Sequence, residues 1–276
     1  MTPTSPAPAR DGRFTTSDGT SIAFTHRPAP TPLAPRVVLV HSLAMDRSIW
    51  DGVVGHLDAE AELLTYDCRG HGQSANRAGS LTAELFARDL AELLDHIGWP
   101  SATVAGCSMG GCVALAFAGL FPGRAERLGL IDTTAWYGEG AAAKFAERAT
   151  EARARGMAGL IEFQLTRWFS DSYRAARPAD VDRAVGVFLA NDVECYASTC
   201  ALLGSADLRA WLPTLRLPVA IVVGEEDYAT PVAMAAALHE AIAGSTIEIL
   251  PQGRHLTPVE HPARIAEVLR ALLARE

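Results

Sequence analysis

Ser108, in Gly106-Cys-Ser-Met-Gly110, is the residue whose type and setting most directly suggest chemistry. A short apolar run, Ala102 to Ala105, precedes it and reads as a buried strand. The Ala-rich pattern Cys112 to Leu120 follows and reads as a helix ending near Pro122. A Gly-x-Ser-x-Gly turn between strand and helix holds its serine at a strained backbone angle, so that Oγ stands clear of the chain. Gly106 and Gly110 are expected because a Cβ at either place would collide with the neighbouring helix or strand. The helix N-terminus points backbone N–H groups and its positive dipole end at the same spot, which suits an oxyanion.

A serine hydroxyl is a weak nucleophile until a base takes its proton, and the base needs a third group to orient it. His255 is the preferred base among eight histidines, because Pro251-Gln-Gly-Arg-His255 is a loop that follows the last predicted strand. His71, in Arg69-Gly-His-Gly72, is expected to support a turn, and His261 to start the terminal helix. Asp227, in the loop after the penultimate strand, is the preferred acid. Asp132, at the end of an earlier strand, is the alternative. Two N–H donors are needed for the oxyanion. The amide of Met109 supplies one, and that of Leu43, after the first long strand, is the candidate for the other.

These residues need a frame, and the chain provides alternating strand and helix signals. Gly12–Gly19 and Ser21–His26 read as a hairpin around Asp18-Gly19. Arg36–Ser42 is a continuous β-branched run of the kind buried on both faces. Ala61–Asp67, Arg127–Thr133, Pro218–Gly224 and Ser245–Leu250 read as further strands. Helices are predicted from Leu81 to Ile97, with Thr82 as N-cap, at Val232–Ala243, and from Pro262 to Ala274. The rhythm breaks after Thr134, where only helical patterns follow: Ala141–Arg155, Met157–Trp168, Ala179–Asn191 and Cys195–Leu203. The expected fold class is therefore α/β, a mostly parallel central sheet flanked by helices with an inserted helical cap. The expected boundaries are a disordered tail at 1–11, a core at 12–134 and 213–276, and the cap at 135–212.

Apolar residues make up 49% of the 276, enough for a sizeable core, and the formal charge is −8. An acidic chain with no Lys/Arg block is not expected to bind nucleic acid. No apolar run approaches a membrane span. Five cysteines without a C-x-x-C pair read as free thiols in a reducing compartment. The Pro-rich, polar start, Met1 to Arg10, lacks the apolar region of a signal peptide, so a cytoplasmic protein is expected. Nothing in the sequence marks an oligomeric state.

Taken together, His41-Ser-Leu43, Asp67-x-Arg-Gly-His-Gly-x-Ser74, Gly106-x-Ser-Met-Gly-Gly111, Gly224-x-x-Asp-x-x-Thr-Pro231 and His255 resemble the α/β-hydrolase superfamily over nearly the whole chain. The order Ser, Asp, His is the one these hydrolases use. Within the superfamily the chain resembles 3-oxoadipate enol-lactone hydrolases, through His41-Ser-Leu43, Arg167-Trp-Phe169, Asp192-x-x-x-Tyr-Ala197, Cys200-Ala-x-Leu203 and Asp207-Leu-Arg209. Ala44 departs from that pattern, standing where glycine is common, and so does Arg254, where glycine or alanine is usual. The resemblance implies hydrolysis of a small-molecule ester or lactone by Ser108, His255 and Asp227, without metal or organic cofactor. An anionic substrate would also need a cation, for which Arg148, Arg167, Arg174 and Arg254 are candidates. Ser42, Trp136 and Trp168 are candidate pocket walls. Alternatives are a broad carboxylesterase or lactonase, a carbon–carbon bond hydrolase of ring-cleavage products, and a small-molecule receptor on the same fold.

Overall fold

A computed structural model describes residues 8–29 and 31–275, and its described strands form one sheet in the order β1-β2-β4-β3-β5-β6-β7-β8. The strands are β1 Arg10–Thr15, β2 Ser21–Arg27, β3 Arg36–Val40, β4 Glu62–Tyr66, β5 Ala102–Cys107, β6 Ala125–Ile131, β7 Val219–Gly224 and β8 Thr246–Leu250. β1 and β2 pair antiparallel, β2 joins β4 antiparallel, and every pairing from β4 through β3, β5, β6 and β7 to β8 is parallel. β5 and β7 are buried along their whole length, as runs such as Ala-Thr-Val-Ala and Val-Ala-Ile-Val-Val demand.

Helices α1 Asp51–Leu57, α2 Ala83–His96 and α3 Met109–Leu120 connect the parallel strands up to β6. Thr82 caps α2 as expected, its side chain accepting from the Leu85 amide at 3.1 Å. α3 is buried on every side from Met109 to Ala118, and its small residues let the backbone lie close against β5 and β6. Between β6 and β7 come α4 Ala141–Arg155, α5 Ile161–Trp168, α6 Asp171–Ala176, α7 Pro178–Leu189 and α8 Val193–Ser205. A short antiparallel bridge, Trp136 to Asp207, and the bond from Leu208 N–H to the Ala135 carbonyl (2.9 Å) close the neck of this helical insertion. α9 Val232–Ala241, α10 Thr257–Glu260 and α11 Pro262–Leu273 complete the helices.

The strand order reverses at β3, which lies between β4 and β5. In open parallel sheets the crevice beyond the strands' C-terminal ends at such a reversal is where ligands bind. The loop after β3 carries Leu43 and the turn after β5 carries Ser108, so the reversal sets them side by side.

Several expectations need correction. The tail was expected to run to residue 11, but Arg10 and Asp11 already belong to β1. They pair with His26 and Thr25, and Asp11 Oδ1 accepts from the Thr25 hydroxyl at 2.6 Å. Residues 1–7 of that tail lie outside the described residues. α1 has no counterpart in the sequence reading, because Gly52 and Gly55 dilute its helical signal; a 3-10 turn, Arg47–Trp50, capped by Asp46, starts it. The predicted Met157–Trp168 helix is a 3-10 turn over Met157–Leu160 followed by α5. The 3-10 segment Arg209–Thr214 packs on α3, so the chain rejoins the core before residue 213.

His41 and His71 brace the loops below the crevice, their ring centroids 5.1 Å apart. The Cys68 N–H donates to His41 Nε2 at 2.9 Å, so the ring proton is on Nδ1, which donates to the Ser42 carbonyl at 2.7 Å. Burial pushes the His41 pKa down to about 4 and that of His71 down to about 3. The neutral rings are thus the folded form, and below the ordinary pKa of 6.5 the unfolded chain binds more protons. We expect urea-unfolding stability to hold above neutrality and decline as pH falls from 6.5 towards 4. His71→Asn, which cannot titrate, should flatten that decline; an unchanged slope would remove the histidines from the account.

Candidate active site

Ser108 follows β5 directly and has φ 55° and ψ −114°, a conformation that an L-residue adopts only under constraint. The constraint is steric. A Cβ on Gly106 would lie 2.0 Å from the Gly110 carbonyl oxygen, and one on Gly110 would lie 2.2 Å from that of Val40. Only two glycines allow β3, β5 and the start of α3 to approach this closely. Hydrogen bonds fix the turn: Ser108 N–H donates to Ile131 O at 2.9 Å, and the Ser108 carbonyl accepts from Gly111 N–H and from the Thr133 hydroxyl at 2.6 Å.

The loops after β7 and β8 reach the same edge and bring Asp227 and His255 to Ser108. His255 Nε2 is 2.8 Å from Ser108 Oγ, and His255 Nδ1 is 2.8 Å from Asp227 Oδ2. The carboxylate accepts at Nδ1, so that nitrogen carries the proton and Nε2 is free to accept from the serine hydroxyl. Asp227 is anchored in turn: Oδ1 accepts from the amides of Ala229 (2.7 Å) and Thr230 (2.9 Å), and Oδ2 from the Thr230 hydroxyl (2.8 Å). Burial works to raise the Asp227 pKa. The attraction of the protonated form of His255 and its hydrogen bond, with the Thr230 bonds, outweigh it and hold the carboxyl below its ordinary range. All three side chains are buried.

Asp132 does not touch His255. Its Oδ1 accepts from Gly224 N–H at 3.1 Å, and its Oδ2 from the amide (3.0 Å) and hydroxyl (2.6 Å) of Thr257. It ties the end of β6 to the loops that carry Asp227 and His255. Burial, with the negative charge of Asp227, raises its pKa well above the carboxylate range.

Leu43 follows β3, and Met109 begins α3. No protein group in the hydrogen-bond network of the described residues accepts from either amide. Ala44 adopts φ 57°, the left-handed conformation for which glycine is favoured, and its carbonyl accepts from the Asn191 side chain at 2.8 Å.

A cavity of about 840 Å³ opens above Ser108 and His255, walled by Ser42, Leu43, Trp168 and residues of α4 and α5. Arg148 and Arg167 line it, and among the described residues neither pairs with a carboxylate. Both guanidiniums face the Phe163 ring, at 5.8 and 4.7 Å from its centroid; Arg148 also donates to the Tyr196 hydroxyl at 2.9 Å. Three sequence candidates, Trp136, Arg254 and Arg174, are not among the lining residues. Trp136 does not line the cavity: it stacks under Arg209 (3.9 Å) at the neck of the insertion, because its bridge to Asp207 holds it there. Arg254 does not reach the cavity either, being buried against backbone carbonyls and Glu226. Arg174 pairs with Asp171 away from it. The sequence reading missed Tyr137, Phe145, Phe163 and Tyr228 among the lining residues. Phe145 and Phe163 lie on α4 and α5, where an apolar face that lines a cavity has the same periodicity as one that packs in a core; Tyr137 and Tyr228 sit in loops, which carry no periodicity to read.

The alpha/beta hydrolase fold family matches residues 35–262, and the chain belongs to that family. It is 31% identical to 3-oxoadipate enol-lactonase 2 of Acinetobacter baylyi, over 87% of this chain and 89% of the relative. The crystal structure of the enol-lactonase from Burkholderia xenovorans superposes with a TM-score of 0.91 at 31% identity, covering 96% of this chain and 100% of the other. A thermophilic esterase from Thermogutta terrifontis, solved with malate bound, gives 0.88 at 28% identity, over 96% and 98%. The chain is thus an enzyme of the α/β-hydrolase superfamily with enol-lactonases among its homologues.

Asp132→Ala removes the acceptor of every bond that Asp132 makes and leaves the Gly224 and Thr257 donors buried. A loss of about 2–4 kcal/mol in denaturant-unfolding stability is expected; a loss within about 0.5 kcal/mol would show that the brace carries no load.

Proposed function

We propose that the chain is a serine hydrolase that opens a carboxylic ester or lactone through an acyl-enzyme intermediate. Ser108 is the nucleophile, His255 the general base and Asp227 the carboxylate that orients it. The observation that carries this reading is the unbroken hydrogen-bonded line from Ser108 Oγ through His255 to Asp227, 2.8 Å at each step, at the floor of a cavity. In the mechanism, His255 Nε2 takes the hydroxyl proton as Oγ attacks the carbonyl carbon. The oxyanion is met by the amides of Leu43 and Met109, each worth about 3 kcal/mol in such a site. Collapse breaks the carbonyl–oxygen bond, and the proton on Nε2 goes to the leaving oxygen. Water, deprotonated by the same nitrogen, then releases the acid and regenerates the serine. Where the leaving oxygen belongs to an enol, the product tautomerises to a ketone without further help.

The substrate class we favour is an anionic lactone like that of 3-oxoadipate enol-lactonases. The similarity to enol-lactonases supports it, as does the presence in the cavity of two arginines with no carboxylate partner among the described residues. A guanidinium forks onto a carboxylate, and the Arg148–Arg167 pair around Phe163 would hold the acid end of the substrate. The malate bound to the Thermogutta esterase fits the same idea. In this reading the helices from α4 to α8 act as a cap over the cavity. Glu147, Glu151 and Glu162 also line the cavity; they favour a second reading, a broad esterase that takes neutral acyl groups. Five unpaired, buried cysteines fit a reducing compartment, and we assign the enzyme to the cytoplasm. No helix of the described residues is long and apolar enough to cross a membrane.

A panel of the enol-lactone, p-nitrophenyl esters and dienoates tests this directly. Ser108→Ala should lose at least about 10⁴-fold in kcat on every substrate that the wild type turns over; an unaltered rate would refute the mechanism. Arg167→Met should raise KM for the anionic lactone by about tenfold or more and leave p-nitrophenyl acetate unchanged. Equal effects on both substrates would refute the carboxylate site and favour the broad esterase.

A further inference from the structure

The last carbonyls of an α-helix have no partner within the helix. At the end of α5 they are taken by the loop that carries His255. The Arg254 guanidinium donates to the Thr166 carbonyl at 2.8 Å and to that of Phe169 at 3.0 Å. Between those contacts, the His255 amide donates to Arg167 O at 3.2 Å and the Leu256 amide to Trp168 O at 3.1 Å. Glu260 closes the other side: Oε2 accepts from the Arg254 amide at 2.9 Å, while Oε1 accepts from the Ser170 amide at 3.0 Å and from the Ser170 hydroxyl.

We propose that Arg254 is a positioning residue for His255. By capping the carbonyl end of α5 with its side chain while Glu260 holds its own amide, it locks the histidine's backbone to the cavity wall. The proposal rests on the reading of His255 as general base, and it explains why a cation so near the site faces away from the cavity. The geometry is a ladder. Thr166, Arg167, Trp168, Phe169 and Ser170 on one rail meet Arg254, His255, Leu256 and Glu260 on the other. Arg254 is buried, 8% exposed; its remaining donors go to Glu226 Oε2 at 3.3 Å, Nη1 also lies 3.1 Å from Asp171 Oδ1, and the Tyr228 ring is 5.2 Å from the guanidinium carbon. Planar, fixed donors let one guanidinium span carbonyls three residues apart. α5 also carries Arg167 and Trp168, which line the cavity. The same ladder therefore sets the substrate-facing wall and the base in one register, and α5 does not swing open independently of His255.

The test uses p-nitrophenyl acetate, which is too small and too neutral to need the cavity's arginines, and expresses kcat per folded molecule counted by near-ultraviolet circular dichroism. Arg254→Met should lower kcat by about 10- to 100-fold with KM within about twofold, the size of effect that a displaced catalytic group produces. Arg254→Lys, which keeps donors for the same carbonyls without the planar fork, should recover part of the loss. Glu260→Gln, which must serve the Arg254 and Ser170 donors with a single oxygen, should lower kcat several-fold at constant KM; it is the deciding variant should Arg254→Met not fold. Wild-type kcat per folded molecule in the variant measured would overturn the proposal. So would a KM effect confined to anionic substrates, which would make Arg254 a substrate contact. Failure of the general-base reading is seen separately, as His255→Ala retaining wild-type turnover.

Discussion

The site depends on how closely three backbones meet at the end of β3 and β5. Hydrogen atoms are all that Gly106 and Gly110 place between the turn, the first turn of α3 and the Val40 carbonyl. That approach leaves Ser108 no relaxed conformation, and its φ of 55° is the result. Strain of this kind costs on the order of 1–3 kcal/mol and persists only where the surroundings over-determine it. Here Ile131, Gly111 and Thr133 do so through the peptide groups of Ser108. The result is a hydroxyl exposed to the cavity on a turn that is otherwise buried and rigid.

Asp132 and Asp227 show how environment gives two neighbouring buried carboxylates different work. Both are removed from water, and both accept bonds from backbone amides. Asp227 alone faces an imidazole, whose N–H bond, with those of Thr230, keeps it ionised against its burial. Asp132 pairs with no cation among the described residues; burial and the charge of Asp227 raise its proton affinity. One is suited to orienting a base, the other to tying strand ends together.

The arginines near the site divide in the same way. Arg148 and Arg167 project into the cavity against an aromatic ring, where a guanidinium is partly desolvated and lacks a carboxylate among the described residues. Burial, and to a lesser degree the neighbouring Arg148, lower the Arg167 pKa. Arg254 is surrounded by acceptors and has nothing to spare for a ligand. Its role is mechanical, joining the insertion to the histidine loop.

How much of this was legible beforehand follows from the range of the forces involved. Steric rules act over a few residues, so Gly-x-Ser-x-Gly between a strand and a helix was enough to mark Ser108, Gly106 and Gly110. Buried parallel strands wrote themselves as apolar runs, and the helical break between β6 and β7 was visible as a change of period. Chain order, with loops after successive parallel strands opening on one edge, was enough to prefer Asp227 and His255 over their rivals. α1 escaped notice because its glycines weaken the pattern and packing supplies what propensity lacks. The fates of Trp136, Arg148, Arg167 and Arg254 were decided only by the tertiary structure. An indole or a guanidinium on a long side chain takes its role from whichever groups lie within reach, and for Arg254 these are carbonyls of residues 166 and 169 and carboxylates of residues 171 and 226. No local pattern in the chain records that those distant segments meet.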